Sequence, residues 1–327
     1  MSDTGDVILG LGAFAVSVLV TPLAAQLARM AGLVDHPGPL KPHEKATPYL
    51  GGIGVAGGAA LGAAYFRPWV LVPLAMALGL GTADDVRPLP PVIRLVTELA
   101  TGVVVAVTVW TRFSGASGFI LVALATVVLM NGINLLDGLD GLCGSVTLLS
   151  AVGFAVILTG DARYLAVALA GATAAFLIFN LPPAKVYLGD GGTYLIGTSI
   201  AVLLAVAWGP SEALHTGIGA LALVVVPVAE LAFAVLRRAR SGRSLLLGDR
   251  DHPYDQLVKR GWSPRRAAAS YGLAALVMAA LATLTNVLST TTAAIVVGSA
   301  VVVVFVIGLE AGFMTPDLPE PTDNLHP

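Results

Sequence analysis

Asp84 and Asp85 stand side by side, and Asp137 and Asp140 are three residues apart in Asn134-Leu-Leu-Asp137-Gly-Leu-Asp140-Gly141. Asp190 lies between glycines in Leu188-Gly-Asp190-Gly-Gly192. Carboxylates gathered on one surface can hold a hard divalent cation, and such a cation neutralises phosphate oxygens during group transfer. Two adjacent aspartates repel each other, so a cation or a proton-transfer role explains the pair better than helix capping, which needs only one. Asp137 and Asp140 share a face if their segment is helical. A turn held by Asn and Asp side chains is the simpler alternative, yet Asn134, Asp137 and Asp140 crowd the end of an apolar span, where ionisable groups are costly and usually functional. Asp190 taken alone reads as a plain Asp-Gly turn. Its place ahead of an apolar span also suits an anion at a helix N-terminus.

Other polar groups fall between the same spans. They include Asn180 and Tyr187 in Asn180-Leu-Pro-Pro-Ala-Lys185-Val-Tyr187, Lys45 ahead of Gly51-Gly52, and a basic run over 237–266. Most of that run reads as a solvated loop attracted to anionic lipid, whereas Asp249-Arg250-Asp251-His252 mixes signs and could grip a diphosphate. Lys45 reads equally well as an ordinary lysine of the positive side. Glu98, four residues after Arg94, reads as a helical ion pair. Glu230, three residues after Pro227 inside an apolar span, is either a functional acid or a packing hydrogen bond. Cys143 is the single cysteine, which excludes an intrachain disulfide and a multi-cysteine metal site. P-loop, Gly-x-Ser-x-Gly and His-Glu-x-x-His patterns are absent.

The elements that must position these groups are apolar. The 327 residues are 56% hydrophobic and 12% charged, with a mean hydropathy of +0.86; a soluble domain carries about twice that charge. The sequence predicts an all-α, polytopic integral membrane protein of about 11 transmembrane helices, with spans near 7–28, 50–66, 69–83, 92–110, 118–133, 142–158, 164–179, 193–208, 214–236, 267–284 and 293–312. The first reads as a retained helix, because the acidic start lacks the basic region of a cleaved signal peptide. An even number of spans separates successive polar clusters, so all return to one face. That face carries 15 of the 18 Lys and Arg residues; Arg67, Arg112 and Arg163 lie opposite. The bias places the active-site loops in the cytoplasm and the N-terminus outside a multi-pass cell-membrane protein. A net charge of −2 gives no case for nucleic acid. Residues 1–312 are expected to form one transmembrane catalytic domain, and 313–327, with prolines and acids, a disordered cytoplasmic tail.

In order, Leu33-Val-Asp35 with Thr47-Pro-Tyr-Leu-Gly-Gly52, Asp84-Asp85, Asn134-Leu-Leu-Asp137-Gly-Leu-Asp140-Gly-Leu142, Leu188-Gly-Asp190-Gly-Gly192, and Asp249-Arg250-x-His252 with Lys259-Arg-Gly261 resemble the motifs of the polyprenyl-phosphate N-acetylhexosamine-1-phosphate transferases. The resemblance runs from about Gly32 to Arg266. It implies magnesium-dependent transfer of a sugar-1-phosphate, foremost that of N-acetylglucosamine, from a UDP-N-acetylhexosamine to a polyprenyl phosphate in the membrane lipid, releasing UMP, as the first membrane step of a cell-envelope glycan. It further implies that manganese can replace magnesium, and it is compatible with a homodimer.

By matched position, Asp190 resembles the principal metal ligand, with Asp85 beside it. Asp84 and Asp85 would position the acceptor phosphate and the metal-bound diphosphate, with Asp137 close to the same metal. Asn134, Asp140, Asn180 and Tyr187 would contact substrate, the last three at the uridine, with Tyr187 stacking on uracil. Lys45, Arg250 and His252 would hold phosphates, His252 within the catalytic set. Direct in-line attack by the lipid phosphate, with Asp84 aiding deprotonation, is the favoured course; an aspartyl-phosphate intermediate is the other. The chain departs from the family in its last cytoplasmic loop, where several histidines are usual and only His252 stands in His252-Pro-Tyr-Asp255, and in having Glu230 where many relatives have Asp. The competing readings are the phospho-N-acetylmuramoyl-pentapeptide transferases of the same family, a transporter or lipid flippase, and an inactive scaffold.

Overall fold

The computed structural model describes residues 3–36, 46–109, 115–244 and 251–315. Within them the chain forms α1 (Asp3–Met30), β1 (Val34–Asp35), β2 (Thr47–Pro48), α2 (Gly51–Phe66), α3 (Leu71–Val86), α4 (Pro91–Thr108), α5 (Gly115–Leu135), α6 (Leu142–Ile157), α7 (Ala162–Asn180), α8 (Gly189–Ala207), α9 (Leu214–Arg240), α10 (Pro253–Lys259), α11 (Pro264–Leu284) and α12 (Thr290–Glu310). Nine of these helices are long and apolar enough to cross a membrane; α2 and α6, of 16 residues each, are apolar but shorter. These helices make an all-α polytopic membrane protein, with nine candidate spans among the described residues and two shorter apolar helices at the other stretches where spans were expected. Sixteen residues reach about 24 Å, short of the roughly 30 Å hydrocarbon layer, so α2 and α6 depend on their neighbours for cover.

Proline opens α4, α10 and α11, where its missing N–H would be unpaired in any case. The outer faces of α1, α4 and α12 expose large apolar side chains, among them Leu11, Val96 and Val302, as a lipid-facing surface must. The inner element is α8, buried almost throughout, which packs against α3, α5 and α2. Glycine permits this approach. A Cβ on Gly52 would overlap the Gly192 backbone of α8, and one on Gly81 of α3 would overlap the backbone of Asp190. Small residues at helix crossings are the usual means of bringing backbones together in lipid.

The two strands pair antiparallel, Val34 opposite Pro48 and Asp35 opposite Thr47, and deliver the chain to α2. Leu50 adopts a left-handed conformation (φ 73°) at that junction, a strain of about 1–2 kcal/mol. It turns the N–H groups of Gly51 and Gly52 onto the carbonyls of Tyr187 and Leu188, at 2.9 Å each.

Residues 313–315, the start of the expected tail, are packed. Arg237 Nη1 donates to the Phe313 carbonyl at 3.3 Å and Gln256 Nε2 to that of Thr315 at 3.3 Å. Arg260 donates to the Ala311 carbonyl and lies 5.6 Å from the centre of the Phe313 ring. The rest of that stretch lies outside the described residues. Replacing Gly52 with alanine is expected to cost about 1–3 kcal/mol through overpacking, read as a lowered melting temperature of the detergent-solubilised protein. An unchanged melting temperature would mean that α2 and α8 do not approach this closely.

Candidate active site

The N-terminus of α8 is the focus of the polar clusters. Its first N–H groups have no intrahelical partner, and Asp85, at the end of α3, fills that role. Asp85 Oδ1 accepts from the Asp190 N–H at 2.9 Å and Oδ2 from the Gly191 N–H at 3.2 Å. Gly189 precedes them with φ +76°, in the left-handed region and against the Asp85 carboxylate, which explains the first glycine of the motif. Asp190 itself sits in the first turn of α8, where Asn134 Nδ2 donates to its Oδ1 at 2.7 Å and to Thr193 Oγ1 at 3.0 Å.

The segment after α5 is a turn. Residues 136–141 run non-helically to Gly141, whose φ of +75° starts α6, so Asp137 and Asp140 do not share a helix face. They diverge. Asp137 accepts no hydrogen bond from the described residues, and burial, followed by the charges of Asp190, Asp85 and Asp140, raises its pKa well above the usual carboxylate range. Asp140 Oδ2 accepts from the Ala184 N–H at 2.9 Å. Asn180, 3% exposed, accepts from the Gly141 N–H and donates to the Val186 carbonyl, both at 3.0 Å. Its amide is therefore engaged inside the fold, tying the turn before α6 to the segment before α8.

That segment presents Tyr187, half-buried, with Tyr49 6.0 Å away at 44° between ring planes. Burial and then the Asp140 charge push the Tyr187 phenol up to about 12, and burial followed by Asp35 raises Tyr49 further. Both rings stay neutral at physiological pH. They offer aromatic surface without charge.

Asp84 makes different bonds from Asp85. Its Oδ1 accepts from the Leu89 N–H at 2.6 Å and its Oδ2 meets Arg94 Nη1 at 3.2 Å. Its carboxyl also lies beside that of Asp190, so both aspartates meet the first turn of α8, and Asp85 makes the capping bonds that the doublet alone argued against. Arg94 pairs with Asp84 across the α3–α4 turn, while Glu98, 1% exposed, accepts from Asn131 Nδ2 at 2.6 Å. The Arg94–Glu98 pair read from spacing persists as an attraction between the two charges, to which these longer-range bonds are added. Arg94 and Thr193 carried no sequence signal as site residues. The nine-residue step from Asp85 across three prolines to Arg94 marks a tight turn, and could have brought Arg94 to notice.

His252 is buried immediately before α10, with Nδ1 3.1 Å from Glu230 Oε1. Glu230 is thus a packing partner within the fold. Lys45 and Arg250 lie outside the described residues. Asp84, Asp85, Asn134, Asp137, Asp140, Asn180, Tyr187 and Asp190 are brought to one end of the helices.

Among the described residues no three His, Cys, Asp or Glu converge into a cage that could hold a metal unaided. Magnesium does not require one: it takes one or two carboxylates and completes its octahedron with water or substrate phosphate. Asp190, Asp85 and Asp137 are an all-oxygen set with no cation among the causes that shift Asp137. A carboxylate oxygen that accepts one hydrogen bond still has a second lone pair. The residues fit a divalent ion completed by substrate. Removal of Arg94 would leave the buried Asp84 carboxylate without its counter-charge. Arg94→Ala is expected to lose about 1–3 kcal/mol of stability in thermal unfolding of the solubilised protein, and Arg94→Lys less than half of that.

The profile of glycosyl transferase family 4 matches residues 68–208, which include all eight residues just gathered at the site. A probable undecaprenyl-phosphate N-acetylglucosaminyl 1-phosphate transferase of Bacillus subtilis is 28% identical over 280 residues, covering 77% of this chain and 78% of its own. A decaprenyl-phosphate N-acetylglucosaminephosphotransferase of Mycobacterium tuberculosis is 29% identical over 314 residues, covering 79% and 77%. An undecaprenyl-phosphate alpha-N-acetylglucosaminyl 1-phosphate transferase of Escherichia coli is 29% identical over 299 residues, covering 83% and 81%. The matched stretch is the one that builds the acidic end of the bundle, and over most of its length the chain is similar to polyprenyl-phosphate N-acetylglucosamine-1-phosphate transferases.

Proposed function

We propose that the protein transfers N-acetylglucosamine-1-phosphate from a UDP-linked donor to a polyprenyl phosphate, with release of UMP. The observation that carries this reading is the meeting of Asp85, Asp137 and Asp190, from three separate helix ends, at the N-terminus of the buried helix α8. The names of the relatives describe transfer of N-acetylglucosamine phosphate with undecaprenyl or decaprenyl phosphate, which supports the acceptor and the transferred group. A carrier would place its ionisable groups near mid-span, whereas these acids sit at helix ends.

In the reaction, an oxygen of the lipid phosphate bonds to the sugar-bearing phosphorus as the bond from that phosphorus to the bridging oxygen breaks, and UMP departs. The acceptor is a phosphate monoester with a second pKa of about 6, so it is already mostly dianionic and needs placement more than a base. Asp84, with one oxygen on the Leu89 N–H and the other on Arg94, serves as a fixed charge beside the site in this reading, which replaces its expected part in deprotonation. Asp190 and Asp85 would hold magnesium, with Asp137 close by; when bound, the ion neutralises the diphosphate oxygens. Asn134 fixes the Asp190 carboxylate through its 2.7 Å bond. Tyr187, backed by Tyr49, supplies a neutral face for the nucleobase, and Asp140 and Asn180 hold the backbone beneath that face. Lys45, Arg250 and His252 would steady phosphate charge.

Membrane placement follows from the acceptor: its isoprenoid chain stays in lipid while its phosphate reaches the ends of the helices. The site faces the cytoplasm in this reading, where nucleotide sugars are available, and 15 of the 18 basic residues fall on that side.

Purified protein supplied with polyprenyl phosphate and UDP-N-acetylglucosamine is expected to release UMP, to stop with EDTA and to recover with magnesium. UDP-N-acetylmuramoyl-pentapeptide should be a poor donor. Asp190→Asn and Asp85→Asn should each lower the rate on the order of 100-fold or more while the protein still inserts. Full activity in Asp190→Asn would remove the metal assignment. The orientation is checked separately by cysteine labelling, against a low background because Cys143 is 1% exposed. A cysteine at Arg112 should react only with reagent added outside, and one at Arg250 only from the cytoplasm.

A further inference from the structure

The connection between α9 and α11 carries a tyrosine whose bond reaches the turn beside the acidic site. Tyr254, the second residue of α10, is 4% exposed, and its hydroxyl donates to the carbonyl of Leu135 at 3.0 Å. Leu135 is the last residue of α5. The final carbonyls of a helix have no intrahelical partner, so Tyr254 caps α5 from another part of the chain. The capped turn carries Asn134, which holds Asp190, and leads directly into Asp137. Tyr254 also presses on Gly138, where a Cβ would overlap its hydroxyl.

The ring of Tyr254 is held on both sides. It stacks on His252 with centroids 5.4 Å apart and planes within 10°, and meets Tyr271 of α11 edge-on at 6.2 Å. Glu230 of α9, 2% exposed, joins those two neighbours: Oε2 accepts from the Tyr271 hydroxyl at 2.7 Å, and Oε1 lies 3.1 Å from His252 Nδ1. Both carboxylate oxygens are thus spent on orienting side chains around Tyr254. A buried acid in an apolar span is costly unless fully bonded, and this one is bonded to the two groups that frame a single ring.

We propose that Tyr254 is a positioning residue for the acidic site: its hydroxyl caps α5 and so fixes Asn134 and Asp137, and its ring sets that turn in register with His252, which Glu230 orients. The effect on turnover rests on the function proposed above; the cap itself does not. In this arrangement the loop carrying His252 and the turn carrying Asp137 form one mechanical unit, so the imidazole read as a phosphate contact and the metal-side carboxylates are aligned by one side chain.

Tyr254→Phe tests this with the loss of a single oxygen, keeping the stacked ring. In hydrogen exchange of the full-length protein in detergent, amides over 133–141 should exchange at least fivefold faster than in the wild type, while those of α1 and α12 are unchanged. In the UMP-release assay, kcat should fall between about tenfold and 100-fold, with KM for donor and acceptor within about twofold. Glu230→Gln should lower kcat in the same way, and Glu230→Asp should restore part of it. Unchanged exchange over 133–141 in Tyr254→Phe would overturn the cap. Faster exchange with undiminished kcat would overturn the positioning role. If the wild type itself released no UMP, the proposed function would fall, and the exchange measurement would still decide the cap.

Discussion

The acceptance of two α8 backbone N–H groups by the Asp85 carboxylate is the contact on which the other site geometry depends. It joins α3 to the first turn of α8 and sets Asp190 at a fixed place in that turn. An anionic cap at a helix N-terminus is favoured by the dipole as well as by the bonds themselves. Here it has a second consequence, because the same end must accept further negative charge from Asp190 and Asp137. In the proposed function the surplus charge is what a divalent ion would offset, and support for the fold and chemistry of the site would share one carboxylate.

Around that contact, buried polar groups are bonded in a chain through the helices. Asn134 secures Asp190, Arg94 secures Asp84, Asn131 secures Glu98, and Asn180 joins the turn before α6 to the strand-like segment before α8. In lipid each such group is expensive if left alone, so these bonds favour insertion. It also explains why glycine is frequent where α2, α3 and α8 meet: bonds this short between main chains and short side chains require helices in near contact.

Much of this was legible in the sequence, for identifiable reasons. Apolar spans and the sidedness of Lys and Arg gave the helix number and gathered the polar clusters on one face, since both depend on composition over long windows. The order of the acidic motifs gave the site. What escaped were pairings set by tertiary approach. Arg94 and Glu98 attract each other as their spacing suggests, but packing against α3 and α5 supplied the further partners Asp84 and Asn131. Asp137 and Asp140 have helical spacing too, yet the glycines between them favour a turn, and the two side chains part. Glu230 gave no clue to its partners, because His252 and Tyr271 come from elements far along the chain.

The residues after α12 are clasped by Arg237, Gln256 and Arg260, so the basic region at the end of α9 and in α10 is finished by the last part of the described chain. A polypeptide made from its N-terminus delivers these residues to the membrane after every helix that precedes them. The helices that bear the acidic cluster can pack while synthesis continues; the clasp made by Arg237, Gln256 and Arg260 must wait for α12 to be threaded. The end of α9 and α10 are thereby secured last, and a chain stalled before its final helix would lack that clasp.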